Sequence, residues 1–146
     1  MTYTINVRIY QTNTNAFFKV VERSSNLGNG LGSSNWTEAN DQHVLTMGVS
    51  GTSGMLRLLS NTGEHVTIVL GVHNYVRWVD VVADGDSHLY GGSILQQYYS
   101  GVPRDRRAVR ERQAATHTCT NAKGRRFTVS YSQPEGENLV ANVIIG

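Results

Sequence analysis

The chain has 146 residues, 39% of them hydrophobic, enough for one domain with a real core (1–146) and too few for two ordinary ones. Only 16% are charged, against about 25% in a typical soluble protein, while 12 Ser, 13 Thr, 12 Asn and 15 Gly make up a large share of the rest. With 17 Val against 10 Leu, this composition excludes coiled coils and helical bundles, and a net charge of +2 beside many β-branched and aromatic residues excludes disorder.

Thr2 to Tyr10 alternates strictly, with Tyr3, Ile5, Val7 and Ile9 on one face, and predicts a half-buried strand. The turn residues Asn13-Thr14-Asn15 precede a second apolar run, Phe17 to Glu22. Ser24 to Asn35, with Gly28, Gly30 and Gly32 among Ser and Asn, predicts a long surface loop. Strands follow at His43 to Val49, Met55 to Leu59, His65 to Val72 and Trp78 to Val82, with a hairpin-type turn at Asn61-Thr62-Gly63 and another turn at Asp84-Gly85-Asp86. Ser93 to Tyr99 and Asp105 to Ala115 lack clear alternation. The second is rich in Arg, Ala, Gln and Glu, and Pro103 with Asp105 as a candidate N-cap predicts a helix beginning near Arg106. Strands return at Phe127 to Tyr131 and Leu139 to Ile145 around the turn Pro134-Glu135-Gly136. About eight strands with regularly spaced turns and one helical connection predict an all-β antiparallel sandwich.

The segment Met1 to Asn6 lacks the basic and apolar regions of a secretory signal, and no apolar run reaches membrane-spanning length. Cys119 is the single cysteine, so no intrachain disulfide forms. A cytoplasmic place of synthesis is expected, with action outside the cell after release or ingestion, and the sequon Asn35-Trp36-Thr37 is expected to stay unused. Of the 13 basic residues 11 are Arg, and the window Arg104 to Arg112 alone carries +3. That local charge is weak support for a polyanion surface.

Catalytic patterns are missing. Gly48-Val49-Ser50-Gly51-Thr52 lacks the second glycine of a nucleophile elbow and lies between two strands, where that motif needs a strand then a helix. The five His show no i, i+4 pair and no Cys partner, and neither glycine-rich loop is followed by a phosphate-binding Lys. No cofactor or metal is implied, and Cys119 is expected inside a strand as a small hydrophobe. Binding of a neutral, many-hydroxyl ligand suits the composition better, because such a ligand needs fixed amide and hydroxyl partners, a charged group for stronger bonds and an aromatic or apolar surface. Sugars are such ligands. The candidate clusters are Ser50 with Gly51, the run His73-Asn74-Tyr75, and Asp80 beyond Trp78, although the ordinary reading of Trp78 is core.

Five strings taken together carry a resemblance: MTYTINVRIYQTN from Met1, VLTMGVSGTSG from Val44, GVHNYVRWVD from Gly71, NAKGRRF from Asn121 and EGENLVANVIIG from Glu135. In this order they resemble the fungal fruit-body lectin family along the whole chain. The resemblance implies an actinoporin-like β-sandwich with a helix-loop-helix connecting the sheets, a non-enzymatic lectin, glycan partners, and a homotetramer with two sugar sites per subunit. One site, for the T-antigen disaccharide Galβ1-3GalNAc, maps onto Ser50, Gly51 and Asn74, with His73 beside them. Its contribution from the preceding loop falls on Gly30 or Leu31, because Gly28 to Asn35 is two residues longer than the Ala-Asn-Gly-Gly stretch common in the family. The second site, for GlcNAc, maps onto Asp80 and Val81. Ala83 stands in place of a Thr, His117 in place of a Tyr, and the Arg falls on Arg104, Arg106 or Arg107 because one residue is inserted, with Arg106 favoured by counting back from NAKGRRF. These departures imply a weakened or altered second site.

Two other readings compete. A membrane-active protein like the actinoporins needs an amphipathic N-terminal helix, where this sequence predicts a strand, so membrane insertion is not expected. A polyanion- or RNA-binding module through Arg104 to Arg112 lacks the interleaved aromatics of a stacking platform, so nucleic acid is not an expected partner.

Overall fold

A computed structural model describes residues 2–26, 33–85, 91–100 and 104–146. In chain order the elements are β1 (Tyr3–Gln11), β2 (Phe18–Asn26), β3 (Ser34–Ala39), β4 (Gln42–Met47), β5 (Ser53–Ser60), β6 (His65–His73), β7 (Val76–Ala83), α1 (Gly91–Ser100), α2 (Arg104–Arg112), β8 (Thr116–Thr120), β9 (Arg126–Gln133) and β10 (Asn138–Ile145). They form a sandwich of a six-stranded sheet, ordered β3-β4-β1-β10-β9-β8, and a four-stranded sheet, ordered β2-β5-β6-β7. The two helices lie between β7 in one sheet and β8 in the other, as the family resemblance implies. Pairing is antiparallel except for β1 beside β10, which run parallel, with Ile5 opposite Leu139 and Val7 opposite Ala141.

Alternation in each strand supplies the inner faces. Ile5, Val7, Leu45, Met47, Val129 and Val143 from one sheet meet Leu56, Leu58, Val66, Ile68 and Leu70 from the other, all fully buried. Each such side chain contributes about 1.5–3 kcal/mol through burial. A second, smaller core lies on the outer face of the four-stranded sheet, where Met55, Val69 and Trp78 pack against Ile94, Leu95 and Tyr98 of α1. Burial on both faces explains why β5, β6 and β7 read as nearly continuous apolar runs. Gly91, Ile94, Leu95 and Tyr98 form the buried stripe of α1 at helical spacing. Gly91 is required there: a Cβ would sit 2.0 Å from Ser24 Oγ, and the Gly91 N–H donates to Glu22 Oε2 at 2.6 Å.

Several predicted elements change. There are ten strands among the described residues, not about eight: β3 was not expected, and β8 was expected only as a strand around Cys119, outside that count. Both are edge strands with a single neighbour and polar outer faces, so the apolar half of their alternation is sparse. The predicted loop from Ser24 to Asn35 is too wide at both ends, since β2 runs to Asn26 and β3 starts at Ser34. Ser93 to Tyr99 is helical, and α2 begins at Arg104 with Asp105 in its first turn. Cys119 is half-buried against the main core, and burial pushes its thiol pKa up. Trp78 is core, fully buried against Tyr98 with ring centroids 5.1 Å apart.

Candidate functional site

Two groups of the expected residues assemble, reached from α2 by Arg106 and Arg110, one helical turn apart. The first is built by the loop between β4 and β5 and the hairpin between β6 and β7. Gly51 N–H donates to Val72 O at 2.8 Å and Val72 N–H to Thr52 O at 3.1 Å, so the loop is laced to β6 just before the hairpin. Across the hairpin tip, Tyr75 N–H donates to Ser50 Oγ at 2.9 Å. Gly51 has φ +93, in the region that favours glycine, and nothing lies within 4 Å of where its Cβ would be. That leaves the Cα face of Gly51 open, while its N–H is held by Val72 O and its O by the Tyr99 hydroxyl. The hairpin is a two-residue turn, Asn74-Tyr75 between the pair His73 and Val76, with φ of 48 and 67 at the two central residues, the signs of a type I′ turn. Asn suits the first of these positions because its short amide tolerates the left-handed region, and the side chain of Asn74 stands in solvent.

A supporting layer comes from both helices. Gln113 Nε2–H donates to His73 O at 2.6 Å, and Arg77 Nη1–H to Gln113 O at 2.9 Å, which ties the end of α2 to the hairpin. Gln113 itself, φ 53, is the left-handed residue that ends the helix. Tyr99 of α1 donates its hydroxyl to Gly51 O at 3.2 Å and lies 2.7 Å from Ser53 Oγ, while the Arg110 guanidinium sits 4.8 Å over the Tyr99 ring. Burial and Arg110 lower the His73 pKa, which keeps its ring neutral near pH 7. Arg110 Nη1 is 3.3 Å from His73 Nδ1. Arginine only donates, so Nδ1 accepts and the ring proton belongs on Nε2, 3.4 Å from the end of the Asn74 amide. That assignment turns the amide oxygen toward the ring and its NH2 outward.

The second group centres on Asp80, 2% exposed, on the helix-facing side of β7 with Trp78. Its Oδ2 accepts from Tyr98 Oη at 2.5 Å and from Arg106 Nη1 at 3.0 Å. Its Oδ1 accepts from Val81 N–H at 2.9 Å and lies 3.5 Å from His117 Nε2 on β8. Burial and the neighbouring carboxylate push the Tyr98 hydroxyl pKa well up, so the phenol keeps its proton and donates it. The structure thus brings Asp80, Arg106 and His117 together. Val81 and Ala83 turn their side chains the other way, into the core between the sheets, so they meet this site through backbone alone. Behind Asp80, a cleft of about 200 Å³ opens between Thr67, Val82 and Gln97 and reaches Tyr98 and Arg106. Gly30 and Leu31 lie outside the described residues.

Tyr98, Tyr99, Arg110 and Gln113 are the residues that sequence reasoning missed. Arg110 lies in the segment singled out for its local charge and Gln113 directly follows it, whereas Tyr98 and Tyr99 lie in α1, where no charge or motif marked them. Much of that charge is engaged: Arg106 on Asp80, Arg110 on Tyr99 and His73, and Arg107 paired with Glu111 at 3.0 Å.

The sequence model for the fungal fruit body lectins matches residues 1–143. The chain belongs to this family. The lectin is 45% identical to the Boletus edulis lectin from Boletus edulis over 146 residues, covering 99% of each chain. Crystal structures of the Xerocomus chrysenteron lectin superpose on it with a TM-score of 0.91. The wild-type form is 44% identical over 100% of both chains, and a triple-methionine variant is 45% identical over 100% of this chain and 99% of the other. These relatives are lectins, so this protein is a carbohydrate-binding protein and not an enzyme.

Proposed function

We propose that this lectin takes the T-antigen disaccharide Galβ1-3GalNAc between the Ser50-Gly51 loop and the Asn74 hairpin. The observation that carries the reading is the lacing of these two turns onto one another through Ser50 Oγ and Val72, which fixes a hydroxyl, an open glycine face and an exposed amide before any ligand arrives. Preformed neutral donors and acceptors suit a neutral sugar, because little ordering entropy is lost on binding. The Asp80 group serves as a second, GlcNAc-type site that is weak. Both oxygens of its carboxylate are engaged inside the protein, the Ala83 side chain faces the core between the sheets, and His117 stands where the family pattern has a phenol. Each lost hydroxyl contact removes about 1 kcal/mol. Assembly into a homotetramer multiplies weak single sites into avid binding on glycosylated surfaces, the mode of action expected of a defence lectin.

Titration calorimetry with Galβ1-3GalNAc and with GlcNAc tests both assignments. The disaccharide is expected to bind at least tenfold more tightly, and Asn74→Gly, which suits φ 48 and removes only the amide, is expected to abolish that preference. Equal affinity for the two sugars, or indifference to Asn74→Gly, overturns the reading.

A further inference from the structure

A cleft of about 200 Å³ lies beside the hairpin, between the start of β1, the start of β7 and the turn between β9 and β10. Its walls include Tyr3, Val72, Tyr75, Arg77, Glu135 and Leu139. Two of these are also the backbone partners of the first site: Val72 receives the Gly51 N–H, and Tyr75 donates to Ser50 Oγ. The cleft and the Ser50 loop therefore share one hairpin.

Tyr75 is the unusual residue. It occupies the second central position of a tight turn at φ 67, where glycine is the stable choice and a bulky side chain is strained. A residue held in such a conformation needs a compensating reason, and burial does not supply it: Tyr75 is 73% exposed. The strain leaves a flat aromatic face standing in water at the mouth of a cleft. The floor is of mixed character, apolar from Leu139 and Val72, polar from Tyr3, Arg77 and Glu135. A pyranose has the same division, with C–H groups on one face and hydroxyls around the edge. The volume is below the about 300–1,000 Å³ of pockets for larger ligands and matches one ring. Arg77 and Glu135 of the wall offset one another, and Glu137, which with burial raises the pKa of the Tyr3 hydroxyl, adds a negative charge that disfavours an anionic sugar.

We propose that this cleft is a subsite for a third, neutral sugar of a glycan whose Galβ1-3GalNAc portion occupies the Ser50-Asn74 site, with the ring of Tyr75 as its stacking platform. The proposal rests on the assignment of that disaccharide site. Its test compares the disaccharide with two neutral trisaccharides, one lengthened beyond the galactose and one beyond the GalNAc, and with a sialylated disaccharide. At least one neutral trisaccharide is expected to bind the wild-type lectin about fivefold more tightly than the disaccharide, and the sialylated one no more tightly.

Glu135→Ala, in the cleft wall and outside the disaccharide site, is expected to reduce the gain while disaccharide affinity holds. Tyr75→Gly lies in the hairpin of that site and is read by the ratio of trisaccharide to disaccharide affinity, which is expected to fall to one. No gain with either neutral trisaccharide, a ratio that survives Tyr75→Gly, an equal gain for the sialylated ligand, or a fall in disaccharide affinity in Glu135→Ala overturns the subsite. If the disaccharide binds and depends on Asn74, those failures belong to the subsite alone. If it does not, the disaccharide site is wrong and the subsite falls with it.

Discussion

The two candidate sugar sites meet the same helix one turn apart and are built on opposite principles. At the Ser50-Asn74 hairpin the polar groups are neutral and aimed outward, and the protein's own hydrogen bonds run behind them, through Gln113, Tyr99 and the Gly51-Val72 ladder. At Asp80 the strongest group in the site is buried and already accepts from Tyr98, Arg106 and Val81. A ligand at the first site adds bonds. At the second it must share or displace them, and displacement returns little net free energy. A carboxylate is therefore a poor guide to affinity when its lone pairs hold the fold together.

Glu64, at the other end of β6 from the hairpin, shows the limit of that trend. It is 4% exposed, with Arg125 at 2.8 Å, Asn121 at 2.8 Å and the Thr62 hydroxyl on its carboxylate. These partners hold its pKa at about 2 against an ordinary 4.5. A depressed carboxylate pKa stabilises the fold fully above the unfolded value and loses that contribution as pH falls toward the folded one. Glu64→Gln is therefore expected to cost about 3 kcal/mol above pH 5, with the gap to wild type closing between pH 4.5 and 2 in urea unfolding. A gap that stays constant across that range removes Glu64 as a reference for a purely structural carboxylate.

Asp80→Ala comes next, at about 2–3 kcal/mol, because it leaves the Tyr98 hydroxyl buried and Arg106 without its partner. Unfolding should register that loss while the disaccharide titration at the hairpin stays within twofold of wild type. Strong loss of disaccharide binding would instead show that α2 couples the two sites through Arg106 and Arg110. A smaller effect separates the sites from the ligand side: His117→Tyr, the residue type of the family pattern, is expected to strengthen GlcNAc binding about fivefold through one restored hydrogen bond. Unchanged GlcNAc affinity in that variant means that the engagement of Asp80, and not the missing phenol, sets the weakness. The smallest expected effect is on the hairpin itself, where Tyr75→Gly should raise stability by about 0.5–1 kcal/mol in urea unfolding by relieving the left-handed tyrosine.

Much of the fold was legible residue by residue. The alternation of Tyr3, Ile5 and Val7 and of Val66, Ile68 and Leu70 puts the same residues into the inter-sheet core. It was least legible at Ser34–Ala39 and Thr116–Thr120, where an edge strand buries too few side chains to leave a clear pattern, and at β1 and β10, whose parallel pairing joins segments from the two ends of the chain. Of the candidate residues, Ser50, Gly51, Asn74, Asp80, Arg106 and His117 were all nameable from motif strings. Their roles were not, because Val81 and Ala83 lie on the same strand as Asp80 and yet face the opposite core.

By itself the sequence determined the strand-rich class, the faces of most strands, the family, and which turns carry amides and hydroxyls. These follow from local chemistry: side chains alternate along any strand, and a turn selects residues that tolerate its dihedral angles. Only the tertiary structure decided that Arg106 crosses 26 positions to reach Asp80, that Tyr98 occupies the same oxygen, and that α2 braces the hairpin through Gln113 and Arg110. Which lone pairs remain for a sugar depends on contacts between segments far apart in the chain, and those exist only once the two sheets and the helices have packed.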